Sequence, residues 1–244
     1  MPHHSVSKPM SSDLRARPRL LVSVRDADEA VMAARAGADL VDAKDPVRGA
    51  LGALPVETVR AIVASIADEA VSSAVAGEPQ DAASLPGSVS AMAGTGIGYV
   101  KVAVRADFDD DALAAAARAA PGRLIAVLFA GAPMPDDLVG RLAGAGFAGV
   151  MIDTAAKDGR RLTDLLPAPR LSAFTADARS HGLLSGLAGS LTIADIAVIA
   201  AHRPDYLGFR GGLCFVSDRT RGLDPERVAL AVQTLRGLDR RNAA

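Results

Sequence analysis

The stretch LLVSVRDADEAVMAARAGADLVDAK, residues 20–44, contains the unit from which the chain is built. It opens with one apolar run at 20–24 and closes with another at 40–44. Between them, Asp26 and Glu29 stand at the spacing of a helix capping box, and alanines follow at helical spacing. The stretch therefore predicts a strand, a helix and a second strand parallel to the first.

This strand–helix pattern repeats along the chain. The predicted strands cover residues 20–24, 40–44, 71–75, 98–104, 124–129, 149–153, 184–188 and 206–209. They are short apolar runs, as expected for parallel strands buried on both faces. Eight such units in 244 residues predict a single α/β domain, a (β/α)8 TIM barrel. A doubly wound open sheet is the alternative, but its glycine fingerprint would follow the first strand, and the glycine-rich loops here come late.

The first residues do not follow this pattern. Residues 1–18 are polar and lack the apolar segment of a signal peptide. We expect a flexible, disordered tail over 1–18 and the catalytic barrel over 19–244.

Composition limits the classes of partner. The net charge is -1 and no basic patch is visible, which argues against nucleic acid and anionic membranes. The single cysteine, Cys214, allows neither an intrachain disulfide nor a cysteine-based zinc site, and no histidines stand at metal-ligand spacing, so we predict no metal. A reducing cytoplasm fits this cysteine usage. Apolar helix faces on a barrel would make a homo-oligomer unsurprising.

Lysine is rare here and is concentrated at the predicted strands. Only four of the 27 Lys and Arg residues are lysine, and three of them are Lys44, Lys101 and Lys157. A desolvated lysine amine can lose its proton and attack a carbonyl to form an imine, which arginine cannot do. Barrel enzymes keep their active sites at strand ends. Asp42 and Asp153 are the candidate partners of these amines. Buried salt bridges that only stabilise the barrel are the alternative interpretation.

Two glycine loops predict an anion site. Gly189 and Ser190 follow the seventh predicted strand, and Arg210, Gly211 and Gly212 follow the eighth. Loops at these positions hold a phosphate in many barrels through backbone N–H groups. Arg210 would add a bidentate donor.

The end of the first predicted strand is a candidate for a second anion. Ser23 and Arg25 lie there, and we include both among the candidate substrate-binding residues. Arg25 could equally be a solvated loop residue. For Arg48, beyond the second strand, the solvated interpretation is preferred.

Several segments together carry a resemblance to a known family. They are LLVSV (20–24), GADLVDAKDP (37–46) with GALG (49–52), YVKV (99–102), IDTAAKDG (152–159), LAGS (187–190) and GFRGG (208–212). In this order they resemble the (5-formylfuran-3-yl)methyl phosphate synthase family, also called 4-(hydroxymethyl)-2-furancarboxaldehyde-phosphate synthase. The resemblance extends from about residue 20 to the C-terminal helix.

The resemblance implies a TIM-barrel lyase that condenses two molecules of glyceraldehyde 3-phosphate into a phosphorylated furan aldehyde, an early step towards methanofuran. It places the imine on Lys44 and further functional roles on Lys101, Asp153 and Lys157; we add Asp42 as a catalytic candidate. We expect Asp153 and Lys157 to act as general base and acid. Lys101 would favour the neutral Lys44 amine by like-charge proximity, or hold a phosphate. The lysine is the electron sink, so we expect no cofactor.

Two other functions remain open at this point. Another Schiff-base aldolase acting on phosphorylated sugars would share every residue-level feature, and only the family segments argue against it. A non-catalytic barrel that binds a phosphorylated metabolite would not need three lysines at its strands.

Overall fold

The computed structural model describes residues 17–156 and 158–242. Apart from Arg17 and Pro18, the predicted tail over 1–18 lies outside the described residues, and its boundary with the barrel stays a prediction. Lys157 also lies outside them.

Eight parallel strands form a closed barrel, which confirms the predicted TIM barrel. They are β1 (Arg19–Val24), β2 (Leu40–Ala43), β3 (Val71–Val75), β4 (Tyr99–Ala103), β5 (Leu124–Ala130), β6 (Gly149–Thr154), β7 (Leu184–Ala188) and β8 (Tyr206–Phe209). Each strand pairs with the next along the chain, and β8 pairs with β1, so the open-sheet alternative is wrong. Every predicted strand is present, with its ends within one residue of the prediction.

Helices follow the strands and surround the barrel. They are α1 (Ala27–Arg35), α2 (Val56–Ile66), α3 (Leu85–Ala93), α4 (Asp110–Ala119), α5 (Leu138–Ala145), α6 (Leu162–Leu165), α7 (Ala168–Ser180), α8 (Ile196–Ala200) and α9 (Pro225–Asn242). Short 3-10 turns at Gly211–Leu213 and Phe215–Ser217 lie between β8 and α9.

The start of α1 differs from the predicted capping box. Asp26 caps the helix, since its carboxylate accepts the N–H of Glu29 at 2.9 Å. The carboxylate of Glu29 does not return to the N–H of Asp26; it accepts the N–H of Arg25 at 3.0 Å and forms an ion pair with Arg210. Glu29 is buried, and a buried carboxylate requires a charged partner, so the box is only half formed.

The end of β2 fixes the backbone of Lys44. The N–H of Lys44 donates to the carbonyl of Val24 at 2.9 Å, which holds this residue against β1. The next N–H, that of Asp45, donates to the carbonyl of Gly52 at 2.8 Å and turns the chain out of the barrel. Backbone hydrogen bonds therefore hold Lys44 in place immediately after the strand.

The side chains inside the barrel change from apolar to charged along its axis. At the amino ends of the strands it is filled by large apolar and aromatic side chains, including Leu40, Leu184 and Tyr206. Towards the carboxyl ends it carries buried charged side chains, among them Lys44 and Asp153. The barrel is thus closed by an apolar plug at one end and polar at the other, the end where barrel enzymes bind substrates.

Candidate active site

A cavity of about 370 Å³ lies at the carboxyl ends of the strands. Lys44, Lys101 and Asp153 line it from inside the barrel, together with the apolar side chains of Leu21 and Met151. The loops after β7 and β8 form the rest of its wall. Three of the five predicted catalytic residues therefore meet at one mouth.

The ion pair of Lys44 and Asp153 joins opposite sides of the barrel. Lys44 follows β2 and Asp153 lies on β6, and their Nζ and Oδ2 atoms are 3.2 Å apart. Both residues are buried, and Oδ1 of Asp153 also accepts the N–H of Thr154 at 2.7 Å. The amine thus reaches a confined cavity with one carboxylate beside it, an arrangement that suits a nucleophile and a neighbouring proton acceptor.

A second ion pair lies deeper, with both residues almost fully buried and Lys101 bordering the cavity. Lys101 Nζ lies 2.7 Å from Oδ2 of Asp42, which also accepts the hydroxyl of Ser23 at 3.2 Å. The other oxygen of Asp42 accepts the hydroxyl of Ser73 at 2.7 Å. Asp42 therefore pairs with a lysine of β4. It does not pair with Lys44, two residues along the chain, although both side chains point to the inside.

The environment of Lys101 shifts its pKa below the ordinary value of a lysine. Burial lowers the pKa of Lys101, the attraction of Asp42 raises it again in part, and the nearby positive charge of Lys44 lowers it further. The positive charge of Lys44 therefore acts on Lys101, and the expected effect of Lys101 on the Lys44 amine stays a prediction.

The third predicted lysine, Lys157, lies outside the described residues, and its convergence on the cavity stays a prediction. Its neighbour Gly159 lines the cavity. The end of this segment is anchored to the loop after β7, because the N–H of Leu162 donates to the carbonyl of Gly189 at 3.0 Å.

The two predicted anion loops lie side by side. Gly189, Ser190, Gly211 and Gly212 all line the cavity. Gly189 has a φ of +122°, and a Cβ there would lie 2.5 Å from a methyl carbon of Thr154. A Cβ on Gly212 would lie 2.3 Å from the carbonyl oxygen of Leu191, so only glycine allows the two loops this approach.

Arg210 differs from its predicted role as an anion donor. Its guanidinium donates through Nε to the carbonyl of Arg219, through Nη1 to the carbonyl of Ser23 and to Glu29, and through Nη2 to Glu29 and the carbonyl of Arg221. These five contacts match the five N–H groups of an arginine. Arg210 therefore fixes the loop after β8 to α1 and has no donor left for a phosphate.

The two candidates at the end of β1 have different surroundings. Ser23 lines the cavity, with its hydroxyl directed to Asp42. Arg25 does not line it; its guanidinium donates to the carbonyl of Thr220 at 3.0 Å and lies 3.3 Å from Glu29. Arg25 is thus better suited to holding the loop after β8 than to holding an anion in the cavity.

Comparison with known proteins agrees with this geometry. The sequence model of the 4-HFC-P synthase family matches residues 20–232. The chain belongs to this family. Its members include a (5-formylfuran-3-yl)methyl phosphate synthase of Methanopyrus kandleri, 33% identical over 84% of this chain and 93% of that protein. One from Methanocaldococcus jannaschii is 33% identical over 86% of this chain and 96% of that protein.

A protein of Methylorubrum extorquens, named provisionally as a (5-formylfuran-3-yl)methyl phosphate synthase, is 58% identical over 94% of this chain and 96% of its own length. Because the relatives are synthases, this 4-HFC-P synthase family member is an enzyme. Among solved structures, the fold is similar to phosphoribosyl anthranilate isomerase from Thermus thermophilus, with a TM-score of 0.63, 15% identity and coverage of 90% of this chain and 99% of that one. That similarity concerns the fold alone.

The sequence did not reveal three residues that shape the site of this synthase family member. Ser73 holds Asp42, Glu29 holds Arg210, and Arg219 lines the cavity. The serines within the apolar run 71–75 were a usable signal for Ser73, since a polar side chain inside a barrel strand needs a partner. Nothing in the sequence around Arg219 distinguishes it from Arg221.

Cys214 does not line the cavity. Cys214 is buried and donates to the carbonyl of Arg210, and burial raises the pKa of its thiol, as expected for a packed cysteine. Within residues 17–156 and 158–242, no three His, Cys, Asp or Glu side chains are grouped to hold a metal ion. No helix in those ranges is long and apolar enough to cross a membrane.

Proposed function

We propose that this enzyme condenses two molecules of glyceraldehyde 3-phosphate into (5-formylfuran-3-yl)methyl phosphate through a Schiff base on Lys44, as an early step towards methanofuran. One observation carries the proposal. The Lys44 amine lines the cavity, is buried, and lies 3.2 Å from the carboxylate of Asp153. Family membership supports the product.

The first steps use the amine as a nucleophile. Neutral Lys44 attacks the aldehyde carbon of one triose phosphate, a C–N bond forms, and the carbonyl oxygen leaves as water. A proton then leaves the carbon next to the imine, and the electron pair is taken up as an enamine. Asp153 lies beside the amine and can accept that proton. The lysine is the electron sink, so the reaction is proposed to need no cofactor.

The later steps join the two trioses. The enamine carbon attacks the aldehyde of the second triose phosphate, and a C–C bond forms. An oxygen of the second triose then closes the ring on the carbon bound to Lys44, the C–N bond breaks, and the Lys44 amine is released. Loss of one inorganic phosphate and of water gives the aromatic furan, so that two triose phosphates yield one furan aldehyde phosphate, one phosphate and two waters, and aromatisation makes the sequence irreversible. Asp153 and Lys157 are assigned as general base and acid of these proton transfers, and the Lys101–Asp42 pair holds a second amine close to Lys44.

The proposal also includes the substrate class, the cellular location and the oligomeric state of the enzyme. Its substrate is a small phosphorylated carbonyl compound, and the glycine loops after β7 and β8 are suited to one phosphate. A cytoplasmic location and assembly into a homo-oligomer stay predictions.

Incubation of the purified enzyme with glyceraldehyde 3-phosphate alone tests this function. Mass spectrometry should find the furan aldehyde phosphate, with one inorganic phosphate released for each molecule, and Lys44→Ala should give neither. A product that keeps both phosphates would indicate a different Schiff-base aldolase. Unchanged substrate would indicate a barrel that only binds it. Either result overturns the proposal.

A further inference from the structure

The segment Ser217–Arg219, after β8, brings one more cation to the cavity. Arg219 lines the cavity with Lys44 and Asp153 and is partly buried. Its Nη2 donates to the carbonyl of Gly49, in the loop after β2, at 2.8 Å. The guanidinium therefore spans the gap between the loop after β8 and the loop after β2 at the mouth of the barrel.

Other residues hold Arg219 in this position. The carbonyl of Arg219 accepts Nε of Arg210 at 3.0 Å, and the carbonyl of Arg221 accepts Nη2 of the same side chain at 2.8 Å. Arg210 is in turn held by the buried carboxylate of Glu29. Arg210 thus holds the loop at Arg219 itself and again two residues later.

The charge of Arg219 is not neutralised as the other charges of the cavity are. Lys44 has Asp153, Lys101 has Asp42, and Arg210 has Glu29, each within 3.2 Å. No carboxylate in the described part of the chain forms a salt bridge with Arg219. Burial lowers the pKa of its guanidinium and Asp153 opposes this, yet an arginine keeps its proton at neutral pH. Among the described residues that line the cavity, Arg219 thus carries a positive charge without a salt-bridge partner.

We propose that Arg219 binds the phosphate group of the substrate and gives the cavity its preference for phosphorylated over unphosphorylated aldehydes. Its Cβ lies 3.5 Å from where a Cβ on Gly211 would be, so the guanidinium begins beside the glycine loop. Backbone groups of that loop and the planar guanidinium fork can then meet the same anion. The inference deepens the proposed function, because it rests on the substrate being a phosphorylated aldehyde.

The test compares two aldehydes that differ by the phosphate. Wild type, Arg219→Gln, Arg219→Lys and the control Arg221→Gln are titrated with glyceraldehyde 3-phosphate and with glyceraldehyde, in the presence of borohydride. The adduct on Lys44 is quantified by mass spectrometry. Arg221 is a matched control because its side chain is exposed, lies on the same loop and does not line the cavity.

In Arg219→Gln, the concentration of glyceraldehyde 3-phosphate that gives half-maximal adduct should rise on the order of tenfold to a hundredfold, as expected for loss of a charged hydrogen bond. The concentration of glyceraldehyde that gives half-maximal adduct should stay unchanged. Arg219→Lys should keep part of the preference, and Arg221→Gln should behave as wild type. Equal phosphate preference in Arg219→Gln and wild type would overturn the inference.

A direct binding measurement separates this inference from the proposed function. If wild type forms no adduct, the Schiff-base proposal fails, and calorimetry with inorganic phosphate then decides the role of Arg219. Weaker phosphate binding by Arg219→Gln than by wild type and Arg221→Gln would support the inference. Equal binding, or no binding by wild type, would overturn it.

Discussion

Lys44 Nζ and Asp153 Oδ2 lie 3.2 Å apart across the centre of the barrel, at the carboxyl ends of β2 and β6. The contact places a primary amine and a carboxylate together at a confined cavity. It also explains how a charged lysine can be buried there, since each charge has the other as partner.

If Lys44 acts as a nucleophile, another positively charged residue at this position cannot restore activity. Lys44→Arg should lose activity as completely as Lys44→Ala, on the order of a thousandfold or more, because guanidinium stays protonated and cannot attack a carbonyl. The rate of furan formation from glyceraldehyde 3-phosphate measures this. Lys101→Arg is the contrast and should keep part of the rate if Lys101 acts by charge. An active Lys44→Arg enzyme would show that the role is electrostatic.

The enclosed Lys101–Asp42 pair should be costly to break from one side. Lys101→Met leaves the Asp42 carboxylate buried without its partner and should lower the free energy of unfolding by about 3–5 kcal/mol. The double variant Lys101→Met/Asp42→Asn removes both charges and should recover much of that loss. Urea unfolding followed by circular dichroism gives both values. A double variant less stable than Lys101→Met would contradict this account.

The lowered pKa of Lys101 predicts how the free energy of unfolding changes with pH. Between its folded-state pKa and the ordinary value of 10.5, the unfolded chain carries a proton that the folded protein lacks. The contribution of Lys101 to the free energy of unfolding should therefore rise with pH in this window and be constant below it. The difference between wild type and Lys101→Met/Asp42→Asn, followed by urea unfolding as pH increases towards 10.5, isolates this contribution. A difference that stays flat up to 10.5, or falls beyond it, would contradict the lowered pKa.

Tyr206 carries a buried hydroxyl at the amino end of the barrel. Within the described residues, its Oη has no hydrogen-bond partner, and burial raises the pKa of the phenol well above its ordinary value. Tyr206→Phe removes this group, so thermal unfolding should show equal stability or a gain of up to about 1 kcal/mol. Thr175→Val is the control, since the hydroxyl of Thr175 is buried but bonded to the carbonyl of His202, and its loss should destabilise. A clear loss in Tyr206→Phe would reveal a partner for the hydroxyl.

Local pattern was sufficient for the strands and for the position of Lys44, because each depends on neighbours close in sequence. It could not pair Lys101 with Asp42. Those residues lie on β4 and β2, which are not adjacent, and they meet only because alternate strands direct side chains into one layer inside a closed barrel.

The arginines show the same limit. Arg210 stands next to two glycines, the sequence signal of a phosphate loop. Its guanidinium forms a salt bridge with Glu29, which lies on α1 and is remote in the sequence. Glu29 itself stands at the spacing of a capping box, but its carboxylate accepts the N–H of Arg25 and pairs with Arg210. Arg219, which lines the cavity, has no local signal, because its place depends on how the loop after β8 folds back over the mouth.

Reductive trapping tests the central claim, an imine on Lys44, most directly. Enzyme treated with borohydride and glyceraldehyde 3-phosphate is digested and its peptides are mapped by mass spectrometry. The adduct should be found on Lys44 in wild type and should disappear in Lys44→Arg, with activity lost in parallel. An adduct on Lys101 or Lys157, or full turnover without any trapped adduct, would contradict the claim.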